Sequence, residues 1–330
     1  MSLLKKISSS LLMSAAIVAS TSVNAEELKF AHFAPVKYPL HEGMFVPLSE
    51  GIAKETNSAT TIRIYPGGEL GPGPDKQYDR VVDGVADIGY GLPGYTASQF
   101  PMALLMEVPG VIMPDTGTQA LWKNIEQLNG EFKRVKLLGI WNNPESVLMT
   151  KDKPIKSLDD LKGLKIRVSS RNVGDLLTAW GASPVSMPIT EVYNSMSTGV
   201  IDGVYTDASV LQSFKLNEVT KYVTKGMHSA LSPQFLIMNR DSWDGLDEAS
   251  KAAMTKLTGV EMSEIGRKIQ ADHAASALKA FTDSGKEVIT LSDAEAAKFN
   301  AASAQLLDKA VADLEAKGVK AKDFVTALKQ

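Results

Sequence analysis

Arg167 stands one residue before the end of Leu164-Lys165-Ile166-Arg167-Val168, where apolar and basic residues alternate as in a strand buried on one face. On that pattern alone, a surface arginine on a solvated strand face is the more economical reading. Other candidate chemistry is sparse. Gly89-Tyr90-Gly91-Leu92-Pro93-Gly94 matches G-x-G-x-x-G and follows a predicted strand. A dinucleotide site needs a helix opening on such glycines to hold the pyrophosphate. Pro93 and the following Tyr95 to Pro101 offer no amphipathic helix, so the match is read as a coincidence. The four histidines, at 32, 41, 228 and 273, have no metal-ligand spacing. There is no G-x-S-x-G elbow, no phosphate loop and no H-E-x-x-H. Asp159 and Asp160 sit at a helix start, where acids favour the dipole. Carboxylates that meet only in space could still form a glycosidase-like pair, so an exported hydrolase stays open as an alternative.

The elements that would position any site begin after a leader. Lys5 and Lys6, the apolar run Leu11 to Ala19, and Val23-Asn24-Ala25 read as a secretory signal peptide over residues 1–25, cleaved near Ala25. The apolar run is too short to span a membrane, which takes about 20 residues, so no membrane span is expected after cleavage. The net charge is −3, and losing the leader's two lysines leaves the mature chain at −5. That balance argues against nucleic acid as a partner. The absence of cysteine excludes thiol catalysis and cysteine-held zinc. A chain of 330 residues exceeds one comfortable hydrophobic core, so two lobes are expected. No linker separates them, which suggests that the chain crosses between lobes more than once.

Strand and helix patterns alternate along the mature chain, as in sheets with crossover helices. Strands are predicted at 27–33, around Ile62-Arg63-Ile64, over 86–92 and at 135–141. Helices are predicted around Met44-Leu48-Ile52, over 74–85 and over Leu121 to Phe132. A second series starts near Val147. Ser157 and Asp160 have capping-box spacing, and helices containing Leu176 and Met196 stop at Gly181 and Gly199. From Leu246 to Phe281 there is no proline. This stretch reads either as two helices, broken at Gly259 or Gly266, or as one helix of about 50 Å bracing both lobes.

Two α/β lobes, an export signal and no catalytic motif describe a periplasmic binding protein that closes on its ligand by hinge motion. Asp160-Leu-Lys-Gly-Leu-Lys-Ile-Arg-Val168 is followed by Gly181-Ala-Ser-Pro184, Glu191-Val-Tyr193, Gly199-Val-Ile-Asp-Gly203 and Tyr222 to Ser229. This series resembles the solute-binding subunits of tripartite ATP-independent periplasmic (TRAP) transporters, the DctP-type family. The resemblance extends to Ile64 to Gly71, Val81 to Gly89 and Met106 to Ile112, and so covers nearly all of the mature chain. It implies a two-lobed fold, each lobe a mixed sheet flanked by helices, with a long helix bracing both. The expected division is 26–146 plus 232–271 for lobe I and 147–231 plus 272–330 for lobe II, with the ligand cleft between them.

The resemblance also implies a job: capturing a small organic acid in the periplasm, as a monomer, and delivering it to a TRAP permease without nucleotide or other cofactor. In that family the arginine of the K-I-R-V stretch pairs with the ligand carboxylate, which here would be Arg167. Its paired donors match a carboxylate, and burial between lobes strengthens the pair. After the D-G of the late strand, Thr206 takes the place of the family's usual asparagine, with Tyr205 before it and Asp207 where proline would be. Many sugar-acid and dicarboxylate binders carry a further arginine where this chain has Val147, so one carboxylate suits this chain better than two. Strand ends should line the cleft: His32, Phe33, Tyr90, Trp141, Asn142 and Asn143 in lobe I, and Ser169, Ser170, Met187, Ile189 and Tyr205 in lobe II. Such a wall favours an aromatic or aliphatic monocarboxylate, with or without a hydroxyl. A binding subunit for a sensor kinase or an ATP-driven importer is the closest rival in mechanism, and the exported hydrolase the rival of another class.

Overall fold

The computed structural model describes residues 26–330, so the leader expected over 1–25 lies outside the described residues. Strands β1 (Glu26–Ala31), β2 (Thr60–Tyr65), β3 (Ile88–Gly91), β4 (Val135–Asn142) and β10 (Pro233–Asn239) form the first sheet, in the order β2-β1-β3-β10-β4. The second sheet runs β11-β9-β5-β8-β6-β7. Its members are β5 (Ser146–Thr150), β6 (Lys165–Val168), β7 (Ser183–Ser186), β8 (Gly203–Asp207), β9 (Tyr222–Lys225) and β11 (Glu287–Thr290). Both sheets are mixed. In the first, β10 is antiparallel to β3 and β4 among otherwise parallel pairs. In the second, β5 is antiparallel to β8 and β9. The chain passes between the sheets three times, from β4 to β5, from β9 to β10 and from β10 to β11. That is the two-lobed α/β architecture expected.

Strand alternation decides what each face of the second sheet meets. Leu148, Ile166, Val168 and Tyr205 point into a core with Trp180 and Phe299. Val147, Met149, Val204 and Val223 point the other way, into a cluster that runs on to Leu28, Phe30, Tyr90 and Trp141 of the first sheet. Arg167 lies on β6 beside Val204, one residue out of phase with Ile166 and Val168, and therefore on the face turned toward the first lobe. Gly203 is required by the close packing of β8 on β5, because a Cβ there would stand 2.4 Å from the Met149 carbonyl oxygen.

The stretch from Leu246 to Phe281 is broken, but only once. A helix over Glu248–Leu257 ends before Gly259, whose φ of 88° no helical residue adopts. A second helix then runs unbroken over Val260–Asp283, 24 residues or about 36 Å. Gly266 does not interrupt it. Without a Cβ there, the helix comes against Met44 and Trp141, which would lie 3.0 and 3.2 Å from one. Ser263 accepts a hydrogen bond from Ile140 N–H at 3.1 Å, and farther along the same helix meets the helix Val210–Ser213 and β11 of the second sheet. It thus braces both lobes.

Local chemistry explains smaller departures. The helix expected through Leu121 to Phe132 is two short pieces, Gly117–Lys123 and a 3-10 turn Ile125–Leu128, parted at Asn124. At Ser157 the cap forms as its spacing suggests: the Asp160 carboxylate accepts the backbone N–H groups of Lys156 and Ser157, each at 2.9 Å. The last helices, Leu306–Glu315 and Ala321–Leu328, were expected with lobe II. They bury Leu314, Phe324 and Leu328 in the core of the first sheet with Phe100, Leu121 and Phe132. An amphipathic stripe specifies that a face is buried but not which partner buries it.

Candidate functional site

Between the sheets, residues from both lobes enclose a cavity of about 40 Å³. Arg167 enters it from β6 and is 1 % exposed. Its Nε donates to the Met187 carbonyl at 2.8 Å and its Nη2 to the Tyr95 hydroxyl at 2.9 Å. None of the ion pairs among the described residues involves it. A guanidinium has five N–H donors, and two are committed here, both to neutral oxygens. The pair is a bracket that fixes the plane of the fork. Burial without an internal counter-charge leaves a cation poised for an anion.

Aromatic rings form the wall. Phe33 stacks on Tyr90 with centroids 5.4 Å apart and meets Tyr95 edge-on at 6.4 Å. Tyr38 meets Phe214 of the second lobe at 6.3 Å. These hydroxyls are held from behind. Trp141 Nε1 donates to Gln270 Oε1 at 2.7 Å, Gln270 Nε2 donates to Tyr38 at 2.9 Å, Tyr38 meets the Tyr90 hydroxyl at 3.1 Å, and Tyr90 donates to Gln234. Burial pushes both tyrosines well above the ordinary phenol range, so both stay neutral. The wall is therefore a set of uncharged rings with fixed hydroxyls.

The far wall is polar. Asn143 Nδ2 donates to Asp207 Oδ2 at 3.1 Å, and Asp207 Oδ1 accepts Ser209 N–H at 3.0 Å. Asn143 and Asp207 both line the cavity, along with Thr206, Ser169 and Ile189. Burial raises the Asp207 carboxyl above its usual range, against the hydrogen bonds from Ser209 and Asn143.

Seven residues expected from strand ends thus come together: Phe33, Tyr90, Asn143, Arg167, Ser169, Ile189 and Thr206. Met187 contributes its carbonyl to Arg167. The others stand elsewhere. His32 is fully buried among Phe30 and Phe45, its Nε2 2.9 Å from His41 Nδ1, and desolvation lowers its pKa to about 3. Trp141 forms a second layer, stacked behind Tyr90 at 6.1 Å. Tyr205 faces away from the cleft, edge-on to Trp180, and accepts Ala230 N–H at 3.0 Å. Asn142 is tied to Thr118 and the Pro114 carbonyl. Ser170 caps the helix Arg171–Ala179 and donates to Glu107. Tyr38, Leu92, Tyr95, Val210, Phe214, Ser232 and Gln234 line the cavity without having been anticipated, as does Asp207, noted in the sequence only for standing where proline is usual.

A wider groove of about 790 Å³ runs between Pro101–Pro109, Arg171–Asp175 and the helix Leu306–Glu315. It holds none of these converging groups, and convergence rather than volume marks a binding site. Among the described residues, no three His, Asp or Glu side chains gather where they could hold a metal ion. No helix among them is long and apolar enough to cross a membrane.

Residues 30–313 match the family model for bacterial extracellular solute-binding protein, family 7, also called DctP. The chain belongs to that family. A TRAP solute-binding protein from a marine metagenome, specific for aromatic acid ligands and solved with 3-hydroxybenzoate, superimposes with a TM-score of 0.87 at 29% identity, covering 92% of this chain and 96% of its own. A TRAP solute-binding protein from Rhodoferax ferrireducens with copurified benzoate gives 0.88 at 28% identity, over 92% and 96%. The C4-dicarboxylate-binding periplasmic protein DctP of Rhodobacter capsulatus is 27% identical over 78% of each chain. The ectoine/5-hydroxyectoine-binding protein UehA of Ruegeria pomeroyi is 32% identical over 58% of each. The family is one of extracellular solute-binding proteins, and this chain is a TRAP-type solute-binding protein.

Proposed function

We propose that this chain captures one small aromatic monocarboxylate in the periplasm and presents it to a TRAP membrane permease. The observation that carries the reading is Arg167: a guanidinium 1 % exposed, without an acidic partner, in a ring-lined cavity closed by both lobes. The ligand carboxylate takes the free edge of the fork, and Phe33, Tyr90 and Phe214 clasp the body. Val147, buried on β5, stands where a second arginine would serve a second carboxylate, which favours a monocarboxylate. The similar structures holding benzoate and 3-hydroxybenzoate support the aromatic body. Binding stabilises the closed arrangement because contacts from both lobes exist only there. The ligand leaves chemically unchanged, and the mature chain starts near Glu26 after cleavage of its leader.

The test is calorimetric titration of the mature protein with aromatic, 2-oxo, sugar and dicarboxylic acids, with Arg167→Ala alongside. An aromatic acid is expected to bind best, and the variant to lose roughly 100-fold or more in affinity, in line with about 3 kcal/mol for a charge-assisted bidentate contact. Unchanged affinity in Arg167→Ala would remove the anchor, and preferential binding of a dicarboxylate would remove the ligand class.

A further inference from the structure

Asn143 and Asp207, two acceptor-bearing side chains, line the cavity along with Arg167. Asn143 is 3 % exposed and lines the cavity, yet its Oδ1 has no hydrogen-bond partner. The amide is oriented by its Nδ2, which donates to the Asp207 carboxyl at 3.1 Å. Oδ1 then faces away from Asp207. Asp207 itself is 4 % exposed and lines the cavity, and it too has no cationic partner among the described residues. The titratable groups around it are Tyr38, Tyr90 and His273. The tyrosines are neutral, and burial holds His273 below its usual pKa. A buried amide oxygen left unpaired costs about 1–3 kcal/mol, and a buried carboxylate without a cation costs more.

Arg167 and Asp207 are set apart by the sheet. β6 and β8 are parallel with Arg167 beside Val204, and Asp207 lies three residues farther along β8. At about 3.3 Å per residue that is roughly 10 Å of backbone along the strand direction. A ligand with a carboxylate alone would satisfy Arg167 and leave Asn143 Oδ1 and Asp207 desolvated against carbon.

We propose that the ligand carries, besides its carboxylate, a hydrogen-bond donor at the other end, a hydroxyl or an amino group, received by Asn143 Oδ1 and Asp207. This rests on the carboxylate-binding reading above and adds the second half of the recognition. It makes Asn143 and Asp207 the residues that select among acids of similar shape. A site built to receive a donor rejects the analogue that lacks one more strongly than an apolar pocket rejects a change in size.

The experiment is calorimetric titration of the mature protein with phenylacetate, its 2-, 3- and 4-hydroxy derivatives, and its 3- and 4-aminomethyl derivatives. Asn143→Ala and Asp207→Asn are titrated in parallel, with thermal unfolding reporting whether each variant is folded. One substituted acid is expected to bind at least about tenfold more tightly than phenylacetate, and that ratio to fall below about threefold in the variants. A preference for an aminomethyl over a hydroxy derivative identifies the donor as cationic, and the reverse identifies it as a hydroxyl. If phenylacetate binds as tightly as every derivative, the acceptor pair is refuted while the carboxylate reading stands. If a folded wild-type protein binds none of the series, both fail. An advantage retained in both variants would place the donor site elsewhere. The wild-type series decides the matter even if one variant does not fold.

Discussion

The Tyr95 hydroxyl accepts a hydrogen bond from Arg167 Nη2 at 2.9 Å, and a second from the Ile189 N–H at 3.2 Å. Tyr95 belongs to the turn Pro93–Thr96 after β3, in the first lobe, whereas both donors belong to the second. One hydroxyl thus aligns the Arg167 guanidinium and ties the first lobe to the second.

Tyr95→Phe keeps the ring against Phe33 and removes both bonds. The loss of a buried acceptor from a charged donor corresponds to about 1.5–3 kcal/mol, so ligand affinity is expected to fall roughly 10- to 100-fold, chiefly through faster dissociation. Stopped-flow and calorimetric titration would measure this. An affinity within about twofold of wild type would show that this tie does not matter to closure.

Glu107 is buried and spans the same divide, accepting hydroxyls from Ser170 of the second lobe and from Ser232 at the crossing into β10. Desolvation lifts its pKa from 4.5 to about 7, the two hydroxyls opposing the shift only in part. The native state therefore keeps this proton up to about pH 7, while the unfolded chain releases it near 4.5. Across that window the native state binds more protons, so stability falls as pH rises and the loss is complete above about pH 7. Its size is of order 1–3 kcal/mol. Glu131, accepting Met102 and Ala103 N–H groups, shifts in the same direction and to about 7. Urea unfolding between pH 5 and 8 should show a shallower decline in Glu107→Gln than in wild type. Equal slopes would contradict the assignment.

Tyr205→Phe separates structure from recognition. The hydroxyl it removes serves Ala230 N–H on the face of β8 turned from the cleft. Orphaning that buried N–H should cost about 1–3 kcal/mol in urea unfolding while leaving the affinity for the acid within about threefold. A large loss of affinity without loss of stability would place Tyr205 at the ligand after all.

His32 and Phe33 show how much of this a sequence can display. The alternation Leu28, Phe30, His32 marks one buried face, and His32 continues that face into the core, leaving the next residue, Phe33, for the cleft. The same period of two puts Tyr205 with Ile166 and Val168, and Thr206 with Arg167. Strand-end position was legible and pointed to the residues that line the cavity between the sheets. The side of the strand was equally legible in the alternation, and applying it would have placed His32 and Tyr205 away from the cavity.

By itself the sequence determined the two α/β series, the turns at glycine, the caps, and a motif series specific enough to point to the family and to Arg167. Those are local or periodic properties, carried by neighbouring residues. Only the tertiary structure brought Tyr38, Tyr95, Asp207, Phe214 and Gln234 into one cavity, and only it left Asn143 Oδ1 without a partner. Tyr95 sits in a short 3-10 turn with no period to read, Phe214 closes the short helix Val210–Ser213 of the second lobe, and Gln234 lies on β10 of the first. Their meeting is set by how two lobes pack face to face. That depends on contacts between residues tens of positions or more apart, and no short-range pattern encodes them.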